Sequence, residues 1–246
     1  MNKTELKIAG TDDFFTQEAY KVLRSNIQFC GQNVRVVAIT SCNENEGKTT
    51  VSLHLGKSFA ELGKKVLVID ADMRKSVMAG RNTDSSNVKG LSEVLTGMEK
   101  LDDCLYQTQY ETLHLLFSGK YPPNPVELLS SNHFTELLAF VRENYDYVII
   151  DTPPLGLVID AAVVSPMCDG AILLLSDGNV RYTQAQNVVS QLEKSGSKLL
   201  GVVRNQTSHK KGGYYYRGYY KRGYYKRGYY KRGYYRAENH EENNKK

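Results

Sequence analysis

The run Val34-Arg35-Val36-Val37-Ala38-Ile39-Thr40-Ser41-Cys42-Asn43-Glu44-Asn45-Glu46-Gly47-Lys48-Thr49-Thr50 carries a β-branched apolar segment straight into Gly-Lys-Thr, and a helical pattern follows. In a strand–turn–helix of this kind, successive backbone amides and the helix N-terminus form a cradle for phosphates. Lys48 is then placed to reach β- and γ-phosphates, and the Thr49 hydroxyl to coordinate Mg2+. A chance Gly-Lys-Thr at a helix start is the blander reading, and the strand ahead of it weighs against that. The usual first glycine is missing, with Cys42 in its place, and Asn45 stands where a further glycine is wanted. Asparagine tolerates a left-handed backbone better than most residues, so the loop can still close. Asn45, Glu46, Gly47, Lys48, Thr49 and Thr50 are therefore the expected lining of a nucleotide's phosphates.

Outward from this loop, short apolar runs alternate with longer amphipathic stretches, as buried parallel strands joined by crossover helices do. Strands are expected at Val34–Thr40, Lys65–Asp70, Leu113–Ser118, Tyr147–Asp151, Ala171–Ser176 and Lys198–Arg204. Helices are expected near 48–62, 125–144, 158–167 and 181–195, with Gly63 and Gly196 at common stopping places. The fold class is α/β: a doubly wound, mainly parallel sheet of the P-loop NTPase type, with ligands at the carboxyl ends of the strands. Thr16 to Phe29 reads as an earlier helix with Tyr20, Leu23 and Ile27 on one face.

Two strands end on acids. Val66-Leu67-Val68-Ile69-Asp70-Ala71-Asp72-Met73-Arg74 places Asp70 and Asp72 at a period of two, so both can point the same way. One would hold the metal while the other accepts a proton from an attacking hydroxyl. Tyr147-Val148-Ile149-Ile150-Asp151-Thr152-Pro153-Pro154 places Asp151 where a Walker B acid aligns Mg2+. Any one of these aspartates alone could simply end a strand. Three at such stations beside a Gly-Lys-Thr loop point to phosphate chemistry, with Thr49, Asp72 and Asp151 as the metal set.

Composition bounds the rest. A chain of 246 residues with 41% hydrophobic content supports one substantial core. Cys30, Cys42, Cys104 and Cys168 form no CxxC pair, which argues against a zinc site or a disulfide framework and suits a reducing compartment. His54 and His114 lack a second ligand at helical or hairpin spacing, so they read as packing or surface residues. The longest apolar runs are too short to cross a bilayer, so membrane association is expected only peripherally or through a partner. The net charge of +5 hides an asymmetry: residues 208–246 hold twelve Lys/Arg against three Glu, leaving the first 207 residues at −4. There the unit Arg-Gly-Tyr-Tyr-Lys recurs at 217–221, 222–226 and 227–231, and again at 232–236 ending in Arg. A five-residue glycine-containing repeat sustains neither a helix nor a packed core, and a flexible, exposed tail is expected. The organisation expected is an N-terminal segment over 1–33, a P-loop domain over 34–207 and a basic tyrosine-rich tail over 208–246.

These residues resemble the bacterial tyrosine kinases that govern capsule and exopolysaccharide synthesis, a branch of the deviant Walker ATPases. The resemblance covers about residues 16 to 207. It is carried by Glu18-Ala19-Tyr20-Lys21-Val22-Leu23-Arg24-Ser25-Asn26, by the acidic station at 66–74, by Pro122-Pro123-Asn124-Pro125-Val126-Glu127-Leu128-Leu129, and by Asp151-Thr152-Pro153-Pro154 with Asp160-Ala161. It implies that Lys48 and Thr49 bind ATP and metal, that Asp70 and Asp72 serve phosphoryl transfer, that Asp151 completes the magnesium site and that Asn205 contacts adenine. It further implies that the 16–29 helix enters a neighbouring subunit's site in a ring, through Glu18, Lys21 and Arg24. Lys21 stands where the family has arginine and lacks the guanidinium's bidentate fork. Glu44-Asn45 stands where many relatives have Pro-Gly. The implied partners are further copies of the chain, a membrane-anchored activator, a cognate tyrosine phosphatase and other protein substrates. The implied location is cytoplasmic, at the inner face of the plasma membrane.

Tyr214, Tyr215, Tyr216, Tyr219, Tyr220, Tyr224, Tyr225, Tyr229, Tyr230, Tyr234 and Tyr235 are the expected acceptors. Each phosphate adds about −1.5 to −2 charge, so roughly five would cancel the tail's positive charge. A tail of interleaved arginine and tyrosine also suits single-stranded nucleic acid or anionic lipid. The rival for the whole chain is accordingly a partitioning- or septum-type ATPase switch with such a tail. Against that rival stand Ser41, Cys42 and Asn43, where its signature lysine would lie.

Overall fold

Val66 to Asp70 is apolar at every position before its aspartate because both faces of that strand are covered: Val66 and Val68 enter one core cluster, Leu67 and Ile69 another. The same alternation splits its neighbour, with Ile149 on the first side and Val148 and Ile150 on the second. A two-sided sheet requires this, since successive side chains point to opposite faces. The computed structural model describes residues 2–6 as backbone, then residues 8, 13–82 and 88–207.

In chain order the elements are β1 (Asn2–Leu6), α1 (Phe14–Phe29), β2 (Val36–Ser41), α2 (Lys48–Ala60), β3 (Val66–Asp70), α3 (Met78–Asn82), α4 (Leu91–Leu95), α5 (Leu101–Cys104), β4 (Leu105–Thr108), β5 (Leu113–Leu116), α6 (Pro125–Leu129), α7 (Asn132–Asn144), β6 (Tyr147–Asp151), α8 (Asp160–Val164), β7 (Gly170–Ser176), α9 (Tyr182–Lys194) and β8 (Leu199–Asn205). The sheet order is β1-β4-β5-β3-β6-β2-β7-β8. Among the described strands only β4 and β5 pair antiparallel, and the remaining neighbours are parallel. β2 lies between β6 and β7, so the chain winds away in opposite directions on its two sides. That is the switch point where a ligand crevice opens beyond the strands' carboxyl ends.

The first cluster lies under α1 and α2. α2 approaches the sheet closely because Gly56 has no side chain: a Cβ there would meet Val68 Cγ2 at 2.8 Å and Leu113 Cδ1 at 3.2 Å. The helix that follows the phosphate loop is thereby held against the strands. α1 is capped by Asp13, whose carboxylate accepts from the Thr16 amide at 3.0 Å, and it buries Ile27, with Tyr20 and Leu23 packed alongside.

The expected six strands are present, the first shifted to 36–41. The sheet gains β1 and β4. The helix expected over 125–144 is two, because Ser131 caps α7 at the Phe134 amide (3.3 Å) while donating to the Leu128 carbonyl (2.7 Å). The helix expected over 158–167 runs as α8 and then a single 3-10 turn, Ser165–Met167, where Pro166 cannot donate. The chain divides into units of residues 1–206 and 207–246, so β1 and α1 belong with the sheet. The repeats and the eleven clustered tyrosines lie outside the described residues. Among the described residues no helix is long and apolar enough to cross a membrane.

Candidate active site

β2 delivers the loop 42–47 to the N-terminus of α2, and two residues bend it. Asn45 takes φ 59°, the left-handed conformation expected of it, and Gly47 takes φ 94°. The Glu46 carboxylate does not face the crevice. It is buried and accepts from the Cys42 amide at 3.0 Å and from Asn43 Nδ2 at 3.3 Å, bracing the loop from within. Glu46 therefore contributes its backbone amide to the cradle. Among the described residues the amides of Asn45 through Thr49 meet no acceptor. A row of unpaired donors at the start of a long helix fits a triphosphate.

Lys48 is 8% exposed, and its Nζ donates to Ser41 Oγ at 3.0 Å. Burial lowers its pKa, against the pull of Asp151, Asp72 and the loop glutamates. The Thr49 hydroxyl donates to Asp151 Oδ2 at 2.6 Å, and Ser52 Oγ lies 3.4 Å from Asp151 Oδ1. Burial pushes Asp151 up to about 7, Thr49 and Lys48 opposing the rise. Asp70, one strand over and in register with Asp151, is also raised well above the usual carboxylate range, first by burial and then by Asp151. Its oxygens are taken: Oδ1 accepts from the Asp72 amide at 3.1 Å and Oδ2 from the Ser76 hydroxyl. Asp72 is half-buried, and its Oδ1 accepts from the Lys75 amide at 3.0 Å.

Hard oxygen donors beside a phosphate cradle, the carboxyls of Asp151 and Asp72 and the Thr49 hydroxyl, suit Mg2+. The described residues hold no cluster of three or more His, Cys, Asp or Glu able to hold a metal unaided. Magnesium does not need one, since it keeps waters and takes phosphate oxygens as ligands.

Asn205 reaches the loop from β8: its Nδ2 donates to the Glu46 carbonyl at 2.8 Å, and Gln206 Nε2 to the Asn45 carbonyl at 2.8 Å. The end of the last strand thus clamps the phosphate loop. Sequence reading missed that role, as it missed Ser41, Ser52 and Ser76, because small hydroxyl residues at strand and helix ends have no spacing signature. A Cβ on Gly47 would meet Asn205 Nδ2 at 2.3 Å. Gly47→Ala is accordingly expected to weaken Mg-ATP binding at least about tenfold and to lower stability by about 1–2 kcal/mol, through a left-handed alanine and a displaced clamp. A nucleotide titration and a thermal melt check it, and parent-like affinity would mean that the Asn205 clamp does not shape the phosphate loop.

The AAA domain family model matches residues 34–180. Tyrosine-protein kinase CpsD of Streptococcus agalactiae serotype Ia is 42% identical over 199 residues, covering 81% of this chain and 86% of that protein. The chain belongs to the bacterial tyrosine-protein kinases. The kinase domain of Escherichia coli tyrosine kinase ETK superposes with a TM-score of 0.72 at 32% identity, covering 78% of this chain and 77% of that one. The cell division ATPase MinD of Pyrococcus furiosus shares the fold less closely, with a TM-score of 0.57 at 27% identity over 70% of this chain and 71% of that one. A nucleotide-binding kinase domain is therefore the reading, in place of the septum-type switch.

In this kinase α1 is docked on its own chain. Arg24 Nη1 donates to the Ser58 carbonyl and to Ser58 Oγ (3.1 Å), and Lys21 pairs with Glu18 at 2.7 Å. Any reach of Arg24 toward a neighbour would have to break the Ser58 contacts.

Proposed function

We propose that this kinase uses Mg-ATP to phosphorylate tyrosines 214–235 of a neighbouring copy, and so regulates capsular or extracellular polysaccharide synthesis. The observation that carries the reading is the convergence of Lys48, Thr49, Asp72 and Asp151 beside unpaired loop amides, in a chain with eleven clustered tyrosines. The amides of 45–50 and Lys48 bind the phosphates, and Asn205 Oδ1 meets the base. Thr49 and Asp151 would hold Mg2+, which supplies charge neutralisation at the phosphoryl oxygens when bound. Asp72, the more exposed acid, receives the tyrosine proton. Asp70 is enclosed and positions Asp72 by accepting its amide. Copies assemble through α1, with Glu18, Lys21 and Arg24 at the contact. A membrane-anchored activator recruits the cytoplasmic kinase to the inner face of the membrane, a tyrosine phosphatase reverses the reaction, and other proteins serve as further substrates.

Mixing tests the transfer between copies. A Lys48→Met chain with an intact tail is incubated with Mg-ATP and an active chain whose tail tyrosines are all Phe. Mass spectrometry should find phosphate on the tail of the inactive chain. Absence of tail phosphate despite ATP hydrolysis would overturn the tail reading.

A further inference from the structure

Arg74 leaves the turn after β3 and crosses to the start of α8, where its Nε donates to Asp160 Oδ1 at 2.9 Å. The Asp160 side chain is fully enclosed while that of Arg74 is 34% exposed. Asp160 Oδ2 is buried without a donor, and among the described residues neither terminal nitrogen of Arg74 has an acceptor. For stability alone this is a poor arrangement. A fork-to-fork pair would satisfy both carboxylate oxygens, and a buried charge with one bond is costly. What the single Nε bond does achieve is to fix the guanidinium while leaving Nη1 and Nη2 unengaged.

The pair spans the site. Arg74 shares its turn with Asp72, and the next residue, Lys75, reaches Glu44 of the phosphate loop at 2.7 Å. Asp160 closes the segment that begins at Thr152, and that segment is tied to β2: the Thr152 amide donates to the Ile39 carbonyl at 3.1 Å and the Gly156 amide to the Ser41 carbonyl at 3.4 Å. Around this end of the sheet stand Glu44, Glu46, Asp70, Asp72, Asp151 and Asp160, against Lys48, Arg74, Lys75 and Arg81. A triphosphate adds more negative charge. Lys48 and Lys75 each commit one N–H, to Ser41 and Glu44, and Arg81 Nη1 lies 3.5 Å from the Thr50 hydroxyl, whereas Arg74 presents a guanidinium fork held at Nε with both terminal nitrogens unengaged.

We propose that Arg74 is a phosphoryl-binding residue whose Nη1 and Nη2 grip oxygens of a terminal phosphoryl group, and that Asp160 is the positioning residue that holds the guanidinium for it. The proposal rests on the kinase reading. Its ligand chemistry, a terminal phosphoryl, is offered both by the γ-phosphate of ATP and by a phosphotyrosine product.

The test uses the full chain, calorimetric titration with Mg-ATP and Mg-ADP, and inhibition of tyrosine-peptide phosphorylation by a phosphotyrosyl peptide. Arg74→Lys keeps the charge and removes the fork. It should bind Mg-ATP about tenfold more weakly, bind Mg-ADP within about twofold of the parent, and lose about 100-fold in kcat. Asp160→Asn should show the same pattern to a smaller degree. The double variant should be no worse than Arg74→Lys alone, because Asp160 acts through Arg74. Weakened inhibition by the phosphotyrosyl peptide, with ATP and ADP affinities unchanged, would support the site and assign it to the product. Parent-like affinity for all three ligands in an Arg74→Lys chain that melts normally would overturn it, and additive effects would overturn the positioning role of Asp160. The comparison of ATP with ADP needs no tyrosine transfer, so failure of tail phosphorylation in the parent chain would sink the tail reading and leave this test standing.

Discussion

Lys48→Met is expected to incorporate about 1000-fold less phosphate into Tyr214–Tyr235 than the parent, in a protein that stays folded. The ammonium sits at the start of α2 with its Nζ bonded to Ser41, in a pocket where it is 8% exposed. A pre-placed cation in a water-poor site stabilises developing phosphoryl charge by a factor of about 100–1000, and loss of ground-state phosphate binding adds to this. Methionine fills nearly the same volume, so no large cavity forms. Burial already disfavours the charged lysine, as its lowered pKa shows, so removing the ammonium relieves one desolvation penalty while Asp151 loses a counter-charge. These opposing changes should keep the melting free energy within about 1 kcal/mol of the parent. Quantitative mass spectrometry beside a thermal melt checks both halves. Phosphate incorporation within tenfold of the parent would remove Lys48 from the chemistry.

Asp151→Asn should abolish activity and yet stabilise the metal-free protein at neutral pH. Asp151 and Asp70 are both almost fully enclosed, paired in register on adjacent strands, and both are raised. With Asp151 at about 7 when folded against 3.8 as its ordinary value, the folded chain binds more protons than the unfolded chain between those values. Stability from this group is therefore fully present below about pH 4 and is lost as pH rises through about 7. An uncharged amide removes that slope. It also removes repulsion from Asp70, at the cost of weaker bonds from the Thr49 and Ser52 hydroxyls. The net gain expected at pH 8 in EDTA is on the order of 2 kcal/mol, with a loss of tail phosphorylation of at least about 100-fold. Denaturant melts from pH 4 to 8 would show a declining parent curve and a flatter variant curve. A variant less stable than the parent at pH 8 would mean that the buried acid is better accommodated than its surroundings imply.

These two expectations share a feature of the site: the groups proposed for chemistry are poorly placed for stability. Asp160, enclosed with one unpartnered oxygen, repeats the pattern. Native proteins keep such arrangements mainly where function requires them.

Much of the site was legible because its parts occur at strand ends. A hydrophobic run broken by Gly-Lys-Thr identifies the phosphate loop, and acids at the ends of β3 and β6 identify the other stations, since parallel strands bring their carboxyl ends to one side. The left-handed turn at Asn45 was likewise readable from residue type. β1 escaped because a short edge strand lacks the continuous apolar run of a two-sided strand, and β4, though paired on both sides, because its four residues include Gln107 and Thr108. The split between α6 and α7 escaped because a serine pair can continue a helix or cap one, and its contacts decide which.

By itself, then, the chain's order of residues determined the doubly wound class, the phosphate loop and the acidic stations, because all three depend on local periodicity and on turns a few residues long. Only the tertiary structure decided what each polar side chain does. It turned Glu46 inward as a brace, made Asn205 a clamp across 159 positions of sequence, enclosed Asp70, and bound Arg74 to a carboxylate 86 residues away. Those roles depend on distances across the sheet and on exclusion of water, and neither is set until the strands have paired.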